Sequence, residues 1–327
     1  GESFSSRFGK TLCDFAAKDK RICAITAAMA LGTGLEKFSK EYPERFFDVG
    51  IAEEHAVTFA SGLSAGGMIP VFAVYSTFLQ RCADQMIHDC ALQRRKTVIA
   101  VDRAGFVGED GETHQGLFDV SMLTSIPGIS VFSPSDASSL RASLNKALYE
   151  CDGIAIVRYP KGYSVNHNYP GFSSFIYSGK SNSHLLISYG RVSDNITGIE
   201  GTDSLILNQI CPFEDEIYNI VMSYDKVSFF EEGIKSGGIG EKLMCRLYSN
   251  GYKGEFNIIA VDNEFVKAAD IESQLARYGL DRKSISHRVK KFLPKHLRLA
   301  KLCGNKKSSQ DVLGMFFCRV LSWEGVR

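Results

Sequence analysis

Long apolar runs are missing from this 327-residue chain, and its charges nearly cancel. No run approaches the 18 or so apolar residues of a membrane-spanning helix, and the N-terminal stretch lacks the basic and then apolar pattern of a secretory signal. The formal net charge of +1 gives no overall attraction to nucleic acid or to an anionic membrane. We therefore expect neither a membrane protein nor a nucleic-acid-binding protein.

Cysteine pairs with the spacing of a metal or redox site are also missing. The nine cysteines are scattered, odd in number, and include no C-x-x-C pair. This pattern favours reduced thiols in a cytoplasmic protein over a disulfide framework or a zinc site. The chain begins GESFSSRFG, without a methionine, so we expect a processed chain, a tag remnant or a fragment.

The first half of the chain has the pattern of a parallel sheet. A length of 327 residues with 44% hydrophobic and 23% charged residues is typical of a globular protein of two domains. Apolar, β-branched runs occur at 21–28, 70–76, 97–102, 129–134 and 155–160. Helical patterns separate them, at 5–17, 53–66, 77–94 and 136–150. Because the apolar runs are unbroken, the strands should be covered on both faces, which predicts an α/β domain over residues 1–165.

A second, smaller α/β domain is predicted over residues 184–292, after a polar linker at 166–183. Its apolar runs are 184–190, 204–210, 226–232 and 256–262, with helical patterns at 237–249 and 267–279. The segment between the first two runs makes a poor crossover helix. A basic, irregular tail covers 293–327. Ten Lys and Arg without an acidic residue lie between Arg282 and Lys307, and they suit either a solvated surface or an anion-binding one.

Two adjacent glutamates open a helical pattern in FDVGIAEEHAV, residues 47–57. A helix N-terminus favours negative charge, so Glu53 and Glu54 are explained as ordinary first-turn residues. Alternatively, one carboxylate faces a ligand, because open α/β sheets bind ligands at the carboxyl ends of their strands. The local pattern leaves both interpretations open.

Seven stretches form a family pattern through their order and spacing: AITAAM, FFDVGIAEEHAVTFASGLSAGG, YSTFLQRCADQMIHD, VDRAGFVGEDGETHQGLFD, SIPG, SPSD and VRYPKG. Together they resemble the pyrimidine-binding domain of the 1-deoxy-D-xylulose-5-phosphate synthase family, thiamine-diphosphate enzymes of the transketolase group. The resemblance is strong over about residues 5–165 and weaker to about 285, where FFEEGIKSGGIGEKL matches the family's small C-terminal domain. It implies an α/β fold with two thiamine-enzyme-type parallel-sheet domains.

The resemblance also implies roles in a cofactor pocket. The carboxyl group of Glu53 would hydrogen-bond the cofactor's pyrimidine ring and promote the tautomer that activates it. Ile51 would line the same pocket, Phe78 would stack on the pyrimidine, and Arg81 would support the pocket. Glu54 departs from the family, which usually has glutamine there.

The glycine-rich loop VGEDGETHQG, residues 107–116, has two interpretations. Its composition suits a surface turn. The resemblance instead implies an active-site loop in which Asp110 and His114 face the substrate and His114 transfers protons near neutral pH.

Two arginines stand at the ends of predicted strands and are assigned to phosphate binding by the resemblance. Arg103 in DRAG and Arg158 in RYPKG would bind the phosphate of the acceptor substrate, since guanidinium binds that group bidentately. Tyr75 in YSTF would add a hydroxyl group. Surface ion pairs are the alternative for both arginines.

The implied reaction joins pyruvate to glyceraldehyde 3-phosphate and releases carbon dioxide. Its product, 1-deoxy-D-xylulose 5-phosphate, is a precursor in isoprenoid, thiamine and pyridoxal synthesis. The family holds the cofactor's diphosphate through Mg²⁺ in an N-terminal domain with a Gly-Asp-Gly motif, and this sequence has no such motif. We therefore expect no metal site here, a homodimer, and a diphosphate-binding domain supplied in cis or in trans.

Two other functions stay open. One is a different transketolase-group subunit, such as a 2-oxoacid dehydrogenase β subunit. The other is a non-catalytic interaction paralogue. ICPFEDE, which stands where the family has a lysine-proline-leucine-aspartate stretch, is a departure in the second domain.

Overall fold

The computed structural model describes residues 1–163, 171–180 and 183–292, without the side chains of 291 and 292. Gly1–Ile285 form one compact unit, and Ser286 begins a second unit that is described only as the end of a helix. The predicted basic tail and parts of the predicted linker lie outside the described residues.

The strands in these ranges are β1 (Ile22–Thr26), β2 (Phe46–Asp48), β3 (Ile69–Tyr75), β4 (Thr97–Asp102), β5 (Ser130–Phe132), β6 (Ile154–Arg158), β7 (Phe175–Ser178), β8 (His184–Tyr189), β9 (Asp203–Leu207), β10 (Gln209–Cys211), β11 (Lys226–Ile234) and β12 (Glu255–Val261).

The α-helices are α1 (Phe4–Ala16), α2 (Glu36–Glu41), α3 (Glu53–Ala65), α4 (Ser76–Leu79), α5 (Ala83–Gln85), α6 (Asp119–Leu123), α7 (Ala137–Tyr149), α8 (Ser193–Ile196), α9 (Asp215–Met222), α10 (Ile239–Ser249), α11 (Ile271–Arg277) and α12 (Arg282–Phe292). Over the described ranges, no helix has both the length and the apolar character needed to cross a membrane.

The first sheet has seven strands in the order β10-β5-β6-β4-β3-β1-β2, and all are parallel except β10. Alternate residues of each central strand enter two different cores. Ile25 and Phe72 face the core that contains α3, whereas Ala24 and Val71 face the core that contains α1 and α7. Both faces of the sheet are thus buried, which is why these runs are continuously apolar, and the predicted α/β class is confirmed.

The second sheet has five strands in the order β12-β11-β8-β9-β7, with β7 antiparallel to β9 at one edge. β7 lies within the range that the sequence pattern assigned to a linker. The doubtful crossover between β8 and β9 is short: a 3₁₀ turn at Gly190–Val192 followed by α8. Helices α10 and α11 lie within the two segments predicted to be helical.

One predicted strand, at 204–210, is divided between the two sheets. β9 pairs with β8 in the second sheet, but β10 pairs antiparallel with β5 in the first. Asn208 lies between β9 and β10, and its backbone N–H donates to the carbonyl oxygen of Ser174 at 2.8 Å. The apolar run at 204–210 therefore contributes to a strand in each of the two sheets. No local sequence pattern indicates this division.

The helix predicted over 77–94 is broken into several turns. α4 is followed by a 3₁₀ turn at Gln80–Cys82, α5, and a π-helical turn at Met86–Ala91. Cys82 departs from helical geometry, with φ −110° and ψ 23°. Irregular helical turns of this kind are frequent at functional sites, and this one includes Arg81.

Candidate functional site

Three of the predicted site residues stand at the carboxyl ends of neighbouring strands. Tyr75 ends β3, Arg103 directly follows β4, and Arg158 ends β6. These three strands are adjacent and parallel in the first sheet. They define the edge at which open α/β sheets bind their ligands.

Glu53 is the first residue of α3 and is only 2% exposed. Arg81 Nη1 donates to its Oε1 at 3.0 Å and to its Oε2 at 2.9 Å. The Arg81 side chain is 46% exposed, so the pair has a buried anionic end and an open cationic end. The neighbouring Glu54 is exposed, and only the first of the two glutamates points into the fold.

An aromatic series continues from this ion pair along the edge of the sheet. The guanidinium of Arg81 lies 5.0 Å from the ring centroid of Phe78. The Phe78 ring meets His114 edge to face at 5.5 Å and stacks with Tyr75 at 6.0 Å. Arg103 in turn lies 3.6 Å from the centroid of the Tyr75 ring. A continuous line of contacts thus joins the buried carboxylate to Arg103.

The loop that carries Asp110 and His114 is closed at its base. Gly105 and Gly116 exchange backbone hydrogen bonds of 2.7 and 2.8 Å, and we call residues 105–116 the site loop. Asp110 accepts a hydrogen bond of 2.6 Å from Lys161 Nζ. Because Gly116 bonds to Gly105, the polar loop that carries Asp110 and His114 returns to the end of β4.

A cleft of about 610 Å³ lies beside Arg103. Its basic lining residues are Lys10, Lys37, Arg103 and Lys161, and Ser5 and Ser6 of α1 add hydroxyl groups. Lys10 pairs with Glu2 at 2.6 Å. Glu36 also lines the cleft, and four cations against this one carboxylate favour an anionic group there.

Asp102 is fully buried directly behind Arg103. Burial raises the pKa of its carboxyl group to about 6. Arg103 Nη1 lies 3.2 Å from Asp102 Oδ1 and donates to the carbonyl oxygen of Gly32 at 3.0 Å. Arg103 also has a left-handed backbone with φ +60°, which is a strained conformation for a residue with a side chain.

Arg158 is buried, and its donors are engaged within the protein. Its Nε and Nη2 donate to the two carboxylate oxygens of Asp119 at 2.9 and 3.2 Å, and its Nη1 donates to Ser133 Oγ at 3.2 Å. Burial by itself lowers the pKa of Arg158, but the adjacent Asp119 outweighs it and the pKa is raised. Arg158 is therefore part of a buried bidentate ion pair.

The predicted residues divide into two groups. Contacts and the closed site loop bring together Glu53, Tyr75, Phe78, Arg81, Arg103, Asp110 and His114. Ile51 is 77% exposed, and Arg158 faces Asp119.

Three residues of this region received no role from sequence reasoning. They are Lys161, the partner of Asp110; Asp119, the partner of Arg158; and the buried Asp102. All three stand in the stretches RYPKG, GLFD and DRAG, which were noted as motifs. Their partners lie 51, 39 and one position away, so only proximity of Asp102 to Arg103 is visible in the sequence.

The carboxyl edge of the parallel sheet thus carries a buried carboxylate and an aromatic series, and these residues lie within a stretch that matches a known family. Residues 3–164 match the family model described as "Transketolase, pyrimidine binding domain". A transketolase pyrimidine-binding domain is therefore present at residues 3–164.

Curated relatives narrow the resemblance to one kind of enzyme. The 1-deoxy-D-xylulose-5-phosphate synthase of Caldanaerobacter subterraneus is 42% identical over 303 residues, covering 88% of this chain and 48% of the relative. The synthases of Clostridium botulinum and Pseudomonas aeruginosa are each 39% identical, covering 89% and 90% of this chain and 49% and 48% of the relatives. The chain spans about half the length of the curated relatives that it matches.

Two solved structures share the fold. "Split gene transketolase, inactive beta4 tetramer" superimposes with a TM-score of 0.77 at 24% identity, covering 90% of this chain and 98% of that chain. Transketolase from Campylobacter jejuni has a TM-score of 0.73 at 16% identity, covering 88% of this chain and 46% of that one. The fold extends over both sheets in each comparison.

Proposed function

We propose that this chain is the pyrimidine-binding and C-terminal part of a thiamine-diphosphate-dependent 1-deoxy-D-xylulose-5-phosphate synthase. The reaction joins pyruvate to glyceraldehyde 3-phosphate with loss of carbon dioxide. The observation that carries the proposal is the line of contacts from Glu53 through Arg81, Phe78 and Tyr75 to Arg103. The names of the curated relatives support the same assignment.

The residues at the start of this line fit an aminopyrimidine ring. Glu53 presents a buried carboxylate, which is the group that a ring nitrogen needs as a hydrogen-bond partner in a dry site. Phe78 is half-buried and offers an aromatic surface for stacking, and we keep Ile51 as a proposed lining residue. Thiamine diphosphate, when bound, supplies the carbon nucleophile that adds to a keto group.

Protons and the substrate phosphate would be handled farther along the edge. His114 meets Phe78 and has a side chain suited to proton transfer near neutral pH. Asp110, held by Lys161, lies in the same site loop. Arg103, Tyr75 and the basic cleft beside them are our proposed binding site for the acceptor's phosphate. Arg158, whose three nitrogens already donate to Asp119 and Ser133, is kept as a further proposed ligand.

The diphosphate and Mg²⁺ would be held by a separate N-terminal domain, supplied in cis or in trans. The chain matches only about half of each synthase, and its sequence has no Gly-Asp-Gly motif. The structural neighbour that this chain covers almost completely is described as inactive. We therefore propose that the chain has no synthase activity by itself. From the family resemblance we also propose a cytoplasmic location and a homodimer.

Calorimetric titration of the 327-residue chain with thiamine diphosphate and Mg²⁺ tests whether a separate domain is needed to hold the diphosphate. We expect weak binding and no turnover, and we expect both to be restored by a synthase N-terminal domain added in trans or fused. Micromolar or tighter binding by the chain alone would show that the cofactor is held differently. Failure of the added domain to restore turnover would favour a non-catalytic paralogue.

A 2-oxoacid dehydrogenase β subunit stays as the alternative within thiamine enzymes. Product analysis of the restored assembly separates the two, because only the synthase consumes a phosphorylated aldehyde. Formation of 1-deoxy-D-xylulose 5-phosphate is the expected result.

A further inference from the structure

The backbone amide and the carbonyl oxygen of Phe106, in the site loop, are held by side chains from β11 and from the turn after β8. The amide of Phe106 donates to Glu232 Oε1 at 2.7 Å, and its carbonyl oxygen accepts from Arg191 Nη2 at 2.9 Å. Glu232 is in β11 and Arg191 is in the turn after β8. Glu232 is 4% exposed and is ion-paired with Arg191. An ion pair between a buried carboxylate of β11 and a partly exposed arginine of the turn after β8 therefore holds the start of the loop.

A second attachment lies two residues farther along. The amide of Gly108 donates to Gln274 Oε1 at 3.2 Å, and Gln274 Nε2 donates to the carbonyl oxygen of Lys267 at 2.9 Å. Gln274 is in α11 and is 2% exposed. The ring of Phe106 also stacks on Tyr278 at 5.4 Å. The side-chain amide of Gln274 is therefore buried, and both its oxygen and its nitrogen are hydrogen-bonded. The bond from its oxygen fixes the backbone of the site loop.

Glycine is required where the loop meets the ion pair. Gly105 has φ +92°, and a Cβ there would lie 2.5 Å from the carboxyl carbon of Glu232. The close approach lets the carboxylate reach the next amide. The loop and β11 are thus shaped to each other at this point.

Arg191 also contacts the backbone of Lys161, whose side chain holds Asp110. Arg191 Nη1 donates to the carbonyl oxygen of Lys161 at 3.0 Å, and Lys161 Nζ pairs with Asp110 at 2.6 Å. Arg191 therefore contacts two segments that meet at the candidate site, the site loop and the residues after β6.

We propose that Arg191, Glu232 and Gln274 are positioning residues that hold the site loop, so that β11, the turn after β8 and α11 set where Asp110 and His114 stand. An ion pair with a buried carboxylate costs desolvation and contributes little net stability by itself, but this one satisfies two backbone groups of a loop. The catalytic consequence rests on the proposed function, whereas the holding of the loop does not.

Hydrogen exchange at the amides of Phe106 and Gly108 tests the holding directly, in the 327-residue chain without substrate. Glu232→Gln replaces a charge-assisted bond with a neutral one and should speed exchange at Phe106 about five- to tenfold. Gln274→Met removes the acceptor for Gly108 and should speed exchange there by a similar factor. This second variant leaves the ion pair intact, so it keeps the test available if Glu232→Gln does not fold.

Glu255→Gln is the matched control. It breaks a 2.9 Å ion pair with Lys226 in the second sheet, where Glu255 is exposed and touches no site-loop residue. It should leave exchange in the site loop unchanged. Unchanged exchange at both loop amides in folded Glu232→Gln and Gln274→Met would overturn the proposal.

The catalytic arm uses the assembly restored with an N-terminal domain. Glu232→Gln and Gln274→Met should raise KM for the phosphorylated acceptor more than KM for pyruvate, because Asp110 and His114 lose their fixed position. If the loop amides exchange faster but no assembly turns over, the proposed function fails and the holding of the loop stands. Equal kinetic effects on both substrates, with unaltered exchange, would contradict a positioning role.

Discussion

Arg81 donates from a single guanidinium nitrogen to both carboxylate oxygens of Glu53, although the two residues are 28 positions apart. The contact links the first residue of α3 to the irregular helical segment that follows β3. It distinguishes Glu53 from the adjacent Glu54, which is exposed. The interpretation of Glu53 as a site carboxylate is favoured by this geometry over that of a solvated first-turn residue.

Glu53→Gln should leave folding intact and suppress activation of the cofactor in the assembled enzyme. Loss of a proton-transfer group typically lowers the rate by about 10²–10⁴-fold. Deuterium exchange at the thiazolium carbon measures this step without the later chemistry. Glu54→Gln is the control and should exchange at the wild-type rate, while a wild-type rate in Glu53→Gln would refute the assignment.

Arg158→Met should strongly destabilise the fold, because it leaves the carboxylate of Asp119 buried without its cation. Breaking a buried pair from one side costs about 3–5 kcal/mol. Urea denaturation measures the free energy of unfolding. The double variant Arg158→Met/Asp119→Leu should recover much of the loss, since the unpaired charge is gone. Additive losses in the double variant would show that the pair is not coupled.

The phosphate assignment predicts a selective kinetic effect. Arg103→Ala should raise KM for glyceraldehyde 3-phosphate far more than KM for pyruvate, because only the former has a phosphate. Arg158→Ala tests the second proposed phosphate ligand in protein that still folds, because the buried guanidinium also neutralises Asp119. A lost charge-assisted hydrogen bond corresponds to about 1.5–3 kcal/mol. Steady-state kinetics of the restored assembly decides between the two arginines. Equal effects of Arg158→Ala on both substrates would assign it a structural role through Asp119.

Asp102 should make stability depend on pH between about 4 and 6. Its folded pKa of about 6 lies above the unfolded value of about 3.9, so the native state binds the proton more tightly. The stabilisation is complete below the unfolded pKa and is lost as the pH rises through 6. Asp102→Asn, which does not titrate, should gain up to about 3 kcal/mol relative to wild type between pH 4 and pH 7. Parallel urea-unfolding profiles of the two proteins would contradict this.

Gly116→Ala should disturb the closure of the site loop. A Cβ at this position would lie 2.1 Å from the carbonyl oxygen of Arg103, which is backbone and cannot rotate away. We expect a loss of about 1–3 kcal/mol, as for other overpacking substitutions, and faster amide exchange in residues 105–116. Gly62→Ala, in α3 with open space around its Cβ, is the control and should be neutral or slightly stabilising. Unchanged exchange in Gly116→Ala would show that the loop has room to move.

The sequence by itself determined the central sheet and the residue types of the site. Unbroken apolar runs predicted β1, β3, β4, β5 and β6, because a strand buried on both faces has no polar side to show. The candidate side chains were indicated by the motifs that carry the family resemblance, and several of them stand at or near the ends of these runs. The edge strand β2 was not predicted, since it is only partly buried and ends in an aspartate, and β10 was not distinguished from β9 because the single apolar run at 204–210 extends from one to the other.

Only the tertiary structure decided which partner each charged group has. The choice of Asp119 for Arg158, of Arg81 for Glu53 and of Lys161 for Asp110 depends on chain segments 28 to 51 positions apart. The tertiary structure alone also decided that the run at 204–210 is divided between two sheets and that Glu232 binds the backbone of the site loop. Local patterns record burial and helical or strand period, whereas ion pairs form between whichever groups the packed sheets bring within hydrogen-bond distance, and that distance exists only after folding.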